Sequence, residues 1–426
     1  MSFDISTPPD WTRSSVSKYC QVQLGKMLQS DPSGAEDELL PYLRAISISK
    51  SGGVDLSHQF TMWIKPHEKE KFLLKRNDVL VSEGGDAGRT AHFDTEGEYY
   101  FQNAINRVRS LDRNRVDSRY LFYWFTFLKL AGYVDLICNV ATIAHFTAEK
   151  VKAAPFALPP RETQKRIAAF LDRKTAQIDG LIAKKRALLE HLVEKRQTII
   201  TQAVTKGLNP SAPIKDSGTD WLGHIPAHWE VKRLSFVSEV IDCKHRTPEY
   251  IDDGIPLVST TEISPYVIDY NTKRQVSDDE LAIMSEGGRQ PRVGDVIYSR
   301  NASVGSAALV RDDRTICLGQ DLCLVRPSVI HPEFLEHFLN STACWVQLGS
   351  YLVGATFKRV NVDVIKKYLL PLPPPEEQMA IAEQVSVAIV KAEAIERKVS
   401  DSISVLSEYR SAVITSAVTG QIEGLK

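Results

Sequence analysis

The sequence predicts an α+β chain built twice. It reads as two mixed α/β globules, each followed by a long helix, with the two helices packed as an antiparallel coiled coil. Three observations carry this. A proline-rich box recurs 214 positions on, a heptad pattern follows each copy of it, and the segments ahead of the boxes share motifs.

Residues 158–164 (Leu-Pro-Pro-Arg-Glu-Thr-Gln) return as residues 372–378 (Leu-Pro-Pro-Pro-Glu-Glu-Gln), and the spacing continues without a gap through Ile167/Ile381, Arg196/Arg410, Ile200/Ile414 and Thr205/Thr419. Between these points apolar residues follow a seven-residue period in one shared register. Leu171, Ile178, Lys185, Leu192 and Ile199 align with Val385, Ala392, Val399, Leu406 and Val413. Leu181 and Leu188 fill the second seam position in the first copy, and Ala388, Ile395 and Tyr409 in the second. Pro160 and Pro375 suit a first helical turn, with Glu162, Glu376 and Glu377 where the helix dipole favours anions, while Gly207 and Gly420 suit the exits. Each helix is then about 45 residues long, roughly 65–70 Å at 1.5 Å per residue. Two such helices in one chain bury each other's stripe.

The segments before the helices repeat more weakly. Residues 78–82 followed by Gly88 match 295–299 followed by Gly305, and Arg107 to Arg109 match Leu324 to Arg326, both at a spacing of 217. Tyr120 aligns with Phe334 and Thr142 with Thr356 at 214, and Trp11 and Trp229 open the halves. Short apolar runs between Gly- or Pro-marked turns predict strands, with one helical stretch in each half, near 117–131 and 331–346. Residues 211–220 read as a polar linker. The expected organisation is a first domain at 1–157, a helix at 158–210, linker and second domain at 211–371, and a helix at 372–426.

Composition limits the function classes. Over 426 residues, 52 Lys and Arg balance 53 Asp and Glu, so any attraction to nucleic acid comes from local patches. Six scattered cysteines without a C-x-x-C pair argue against zinc and against a disulfide framework, and read as reduced core residues. The opening residues have no signal-peptide pattern and no apolar run reaches membrane-spanning length, which predicts a soluble cytoplasmic protein. No phosphate-binding loop, early glycine-rich βα turn or H-E-x-x-H helix occurs, so no cofactor or metal is expected on this chain.

This layout, with residues 243–248 (Cys-Lys-His-Arg-Thr-Pro), 254–257 (Gly-Ile-Pro-Leu), 354–359 (Gly-Ala-Thr-Phe-Lys-Arg) and the Leu372 box, resembles the specificity subunits of Type I restriction-modification enzymes. The first half departs from the pattern, with residues 139–142 (Asn-Val-Ala-Thr) opposite 354–356. The resemblance implies a non-catalytic subunit with two target recognition domains, each reading half of a split DNA target. The helices then measure the spacer and dock two methyltransferase subunits. S-adenosylmethionine, ATP and Mg2+ are expected on the methyltransferase and endonuclease partners.

Base edges are read by forked donors and acceptors on loops, and phosphates are held by basic and hydroxyl groups. In the second domain this selects Lys244, His245, Arg246 and Thr247, then Arg300, Asn301 and Ser303, then Thr356, Lys358 and Arg359. In the first it selects Lys50 and Ser51, then Glu83, Asp86 and Arg89, with Arg107, Arg109, Arg113, Arg115 and Arg119 as phosphate contacts. Glu83 suits cytosine N4, although an acidic residue beside a turn also caps backbone amides. Arg161, Lys165, Arg166, Arg173, Lys184, Lys185 and Arg186 make the first helix basic and are candidates for docking a partner, although a charged helix face is commonly only solvated. Competing classes are a stand-alone nuclease or methyltransferase, disfavoured by the missing motifs, and a coiled-coil scaffold that does not read DNA.

Overall fold

The computed structural model of the chain describes residues 5–138, 145–352 and 359–425. It divides into two compact units, Met1–Arg186 with Ser400–Lys426, and Ala187–Val399, so each long helix is shared between them.

The first unit is built on a four-stranded antiparallel sheet in the order Cys20–Leu24, Ile105–Ser110, Asp78–Ser82, Thr90–Phe93. The second has the same sheet in the same order: Ser238–Asp242, Leu322–Pro327, Val296–Ser299, Ala307–Leu309. Register matches too, with Val79 opposite Val108 and Val296 opposite Val325. The strand Asp78–Ser82 is buried at every position, which is why its sequence is a continuous apolar run rather than an alternating one.

A smaller sheet also recurs. Glu38–Leu43 pairs antiparallel with Phe60–Ile64 and parallel with Tyr100–Phe101, as Ile255–Val258 does with Gln275–Val276 and Cys317–Leu318. The helix Ser118–Leu130 packs its aromatic face into the first core, its amides at Arg119 and Tyr120 donating to the Asp117 carboxylate. The corresponding stretch of the second unit is two helices, Pro332–Leu339 and Thr342–Leu352. The break serves the edge strand: the Asn340 amide accepts from Ala307 N at 3.1 Å and donates to Ala307 O at 2.8 Å. The stretch read as a linker includes a strand, Ile214–Asp216, paired with His224–Pro226.

The long helices span Arg161–Lys206 and Pro375–Val418, 46 and 44 residues. In the first unit the start of one lies against the end of the other, with Ile167 and Leu171 clustered with Val413, Ile414, Ala417 and Val418, and Arg410 Nε donating to Asp179 Oδ1 at 2.8 Å. In the second unit Ile200, Ala203 and Val204 cluster with Ile381, Ala382, Val385 and Ile389, and Arg196 pairs with Glu396 at 3.4 Å. The arrangement is antiparallel. The seam differs from the expected one: Leu181, Leu188, Ile395 and Tyr409 are exposed, and the following position turns inward at Ile182 and Ile389. Near its ends each helix packs against a globule as well as its partner, which widens the buried stripe beyond a two-helix seam.

The proline boxes anchor the helices. Gln164 is fully buried; its side chain accepts from Asp117 N at 2.8 Å and donates to Arg115 O and Pro159 O, both at 2.9 Å. Gln378 repeats this with His331 N at 2.7 Å and Pro373 O at 2.8 Å. At the exits, Gly207 and Gly420 have φ of +75° and +73°. A Cβ on Gly420 would sit 2.5 Å from Pro8, so a side chain is excluded there on two counts. All six cysteines are buried and free.

Gln378→Ala is expected to cost about 2–4 kcal/mol, since it leaves a buried N–H and C=O without partners; a lowered urea midpoint with unchanged m-value checks it. Burial also depresses the imidazoles of His92 and His337 to about 4 from 6.5. Below pH 6.5 the unfolded chain therefore binds protons that the folded chain refuses. Stability present above that pH is lost as pH falls towards 4, by on the order of 2 kcal/mol per histidine. Urea midpoints across this window should fall, and less so in His337→Gln.

Candidate nucleic-acid interface

Each central strand ends in a serine that builds the next turn. Ser82 Oγ donates to Gly84 O at 2.9 Å, and Gly88 N returns to Ser82 O at 2.9 Å. Ser299 does the same with Asn301 O at 2.9 Å and Gly305 N at 3.0 Å. Gly85 and Ala302 occupy matching positions with φ of +71° and +54°. The residue after each serine is held by two backbone bonds: Glu83 by Ala104 O and Phe146 N, Arg300 by Asp321 O and Val360 N. The polypeptide path is thus the same, while the side chains it carries differ.

In the second unit the turn gathers several of the expected residues around two carboxylates. Arg300 Nη2 lies 2.7 Å from Asp242 Oδ1, and His245 Nε2 lies 3.1 Å from Asp242 Oδ2. Asn301 Nδ2 donates to Asp321 Oδ2 at 3.2 Å and Arg359 Nη2 pairs with Asp321 Oδ1 at 2.9 Å. Arg300 itself is 2% exposed and lies beneath this surface. Ser303 turns inward to Thr260 O and Ser299 Oγ, and Thr247 is exposed. Lys244 bonds Glu286 at 2.5 Å and Ile283 O at 2.9 Å, and Arg246 pairs with Glu280 at 2.5 Å. Thr356 and Lys358 lie outside the described residues, as do 139–142.

In the first unit Lys50, Ser51, Asp86 and Arg89 come together with Lys129 around a cavity of about 170 Å³. Arg89 donates to Asp86 at 2.8 Å and to Ile48 O at 3.1 Å, and Lys129 also pairs with Asp86. Ser51 continues into a larger groove of about 900 Å³ lined by Arg76, Asn77, His92, Arg119 and Asp172. Glu83 stands apart from both, facing His145 at 4.0 Å, and burial holds its carboxyl above the usual carboxylate range.

The phosphate-contact expectation for Arg107 and Arg109 is corrected. Both lie on the strand Ile105–Ser110. Arg107 is 2% exposed and donates to Lys71 O and Leu73 O. Arg109 forms a two-pronged pair with the fully buried Asp78, both contacts 2.6 Å, and Asp295 and Arg326 repeat it at 2.9 Å. A guanidinium committed to a buried carboxylate is part of the scaffold. Arg300 is corrected likewise as a direct contact, because burial keeps it from a groove floor. Arg119 is taken up by Asp172 and the ring of Phe122, and Arg115 lies over Tyr19, whereas Arg113 remains exposed.

On the first long helix Arg161 pairs with Asp117 at 2.5 Å, Lys165 with Glu162 at 2.7 Å, and Arg166 donates to Thr163 Oγ1 at 3.2 Å. Arg173, Lys184 and Arg186 are exposed, and Lys185 is half-buried. Sequence reasoning missed one further scaffold pair: Lys26–Glu68 at 2.8 Å matches Lys244–Glu286, both residues being displaced by 218 positions. That common displacement was the available signal. Among the described residues no group of three or more His, Cys, Asp or Glu could hold a metal ion, and no helix is long and apolar enough to cross a membrane.

Two copies of one scaffold with differing loops are what the family comparison matches. Residues 8–191 and 226–404 fit the model of the Type I restriction modification DNA specificity domain. The chain belongs to this family. It is similar to the Type I restriction enzyme EcoBI specificity subunit of Escherichia coli, 21% identical over 98% of this chain and 87% of that one. It is also similar to the MjaVIII specificity subunit of Methanocaldococcus jannaschii, 23% identical over 98% and 94%. Its fold matches a chain solved in work on the assembly and conformational transition of the type I R-M system, with TM-score 0.76 and 18% identity over 98% and 100%. A second match is the HsdS subunit from Thermoanaerobacter tengcongensis, with TM-score 0.54 and 18% identity over 98% of each chain. The role of this specificity subunit is the recognition of DNA sequence.

Replacing Arg109 by Met is expected to destabilise by about 3–5 kcal/mol, since it strands the buried Asp78 charge. The salt dependence of DNA affinity should be unchanged, whereas a lost phosphate contact would lower its log–log slope by about 0.9. Thermal denaturation and salt-dependent anisotropy read the two separately.

Proposed function

We propose that the chain reads a bipartite double-stranded DNA target, one half with each recognition domain, and directs methyltransferase subunits and ATP-dependent endonuclease subunits to it in the cytoplasm. Catalysis belongs to those partners, which use S-adenosylmethionine, ATP and Mg2+, and this chain holds none of them. The single observation that supports the reading most is the recurrence of one serine-built turn in both units, on identical backbone, with different polar side chains. A common scaffold with divergent loops suits two readers of unrelated half-sites. The exposed cations Arg173, Lys184 and Arg186 on the first long helix, with Arg161, Lys165 and Arg166, are the proposed partner face. Of the loop residues, Lys50, Ser51, Glu83, Asp86 and Arg89 serve the first half-site. His245, Arg246, Thr247, Asn301, Ser303 and Arg359 serve the second, while Lys244 belongs to the scaffold through its pair with Glu286.

Methylation sequencing of DNA from cells expressing the chain with its methyltransferase subunit should reveal a split motif that is absent with the methyltransferase alone. Exchange of residues 211–371 for those of a relative should change one half of that motif. A stable complex that marks no motif would instead favour a scaffold without readout.

A further inference from the structure

The two units act as controls for each other, because the same backbone appears twice in one molecule. Residues kept in both copies hold the scaffold: Asp78–Arg109 with Asp295–Arg326, Lys26–Glu68 with Lys244–Glu286, and Gln164 with Gln378. Residues that occupy one backbone position and differ in chemistry are free to carry what the units do not share. At the serine-built turn this difference is an inversion of charge. Glu83 and Arg300 have the same two backbone bonds, and the segments that cross them place His145 opposite Arg359 in the alignment. Ala104 in the first unit is replaced by Asp321 in the second, the residue that anchors Arg359.

We infer that this turn and the segment crossing it set different base preferences in the two half-sites: Glu83 on the turn accepts from the exocyclic amine of a cytosine in one, and Arg359 on the crossing segment, braced by Asp321, donates to a guanine in the other. This rests on the DNA-reading function proposed above.

Three features support the assignment. Among the described residues the Glu83 carboxylate accepts no hydrogen bond, and the imidazole of His145 stands 4.0 Å from it, yet its side chain is only 17% exposed. A carboxylate withdrawn from water without a donor is poised for one. Cytosine presents N4–H2 alone in the major groove, whereas adenine sets the N7 acceptor beside its amine and so repels a carboxylate. Second, Arg359 is 42% exposed while its guanidinium is fixed at 2.9 Å by Asp321, which leaves donors free in a preset direction. Third, Asp321 holds φ of +72°, an unfavourable conformation for a residue with a side chain, and it also receives Asn301. Arg300, enclosed beneath, keeps the neighbouring Asp242 from standing as an uncompensated charge.

The test uses the full chain in complex with its methyltransferase subunit and reads the methylated motif for the native protein, Glu83→Gln and Arg359→Gln. Gln pairs with adenine through N6 and N7. Glu83→Gln is expected to lower the preference for cytosine at one position of one half-site by about tenfold or more and move it towards adenine. Arg359→Gln should do the same to guanine at one position of the other half. Thermal midpoints within a degree or two of native separate a reading role from a folding one. If the native complex marks no split motif, the DNA-reading function falls and this inference with it. If the native motif is present and both variants keep every base of it, or if either variant alters both halves, this inference alone is overturned.

Discussion

The buried glutamine of each proline box is the joint on which the rest depends. A long helix carries no fixed relation to a globule unless something removes its freedom to pivot at the point of entry. Gln164 and Gln378 do so by bonding the backbone ahead of the domain helix on one side and the box's own proline carbonyl on the other. Because both amide ends are used in a dry site, rotating the helix would leave donors and acceptors unpaired, each at about 1–3 kcal/mol. The short strand pairs Thr12–Ser15 with Pro155–Leu158 and Glu230–Arg233 with Leu369–Leu372 tie the same junction from the other face. A loop that reads DNA needs this rigidity beneath it, since a small angular error at the helix entry is magnified at the loop.

The polar interior of each unit follows one rule. Buried charges are compensated, with Asp78, Asp295 and Glu336 each met by an arginine and Arg107 by backbone carbonyls. The loops at the serine-built turns obey it less strictly. Among the described residues Glu83 has no donor, and Arg300 meets Asp242 without well-formed hydrogen bonds at Nε or Nη2.

The repeat, the long helices and the strand-rich globules were legible because they leave periodic or recurring marks in one dimension. The box at Leu158 and Leu372 predicted both helix starts, and Gly207 and Gly420 both ends. The seam was read only in part. A heptad count assumes one partner, whereas the ends of each helix face two, so Leu181 and Tyr409 turned out exposed. Among site residues, loop membership was legible and burial was not. Arg107 and Arg109 look like a basic patch in sequence, but on a strand whose neighbour supplies Asp78 they become interior. Asp242 and Asp321, which orient the second loop cluster, gave no local signal, because their importance arises only when strands far apart in sequence end side by side.

The division of the helices between the units also governs the order in which the molecule can be completed. The second unit is continuous, Ala187–Val399, while the core of the first includes Val413, Ile414, Ala417 and Val418 and the bond from Tyr120 to Val418 O, 298 residues apart. During synthesis the first globule emerges early, but at about 5–20 residues per second the strip that seals it is still roughly 10–40 s away. Throughout that interval Ile167 and Leu171 lack the Val413–Val418 strip that they cluster with in the finished unit, so the half made first is the half finished last.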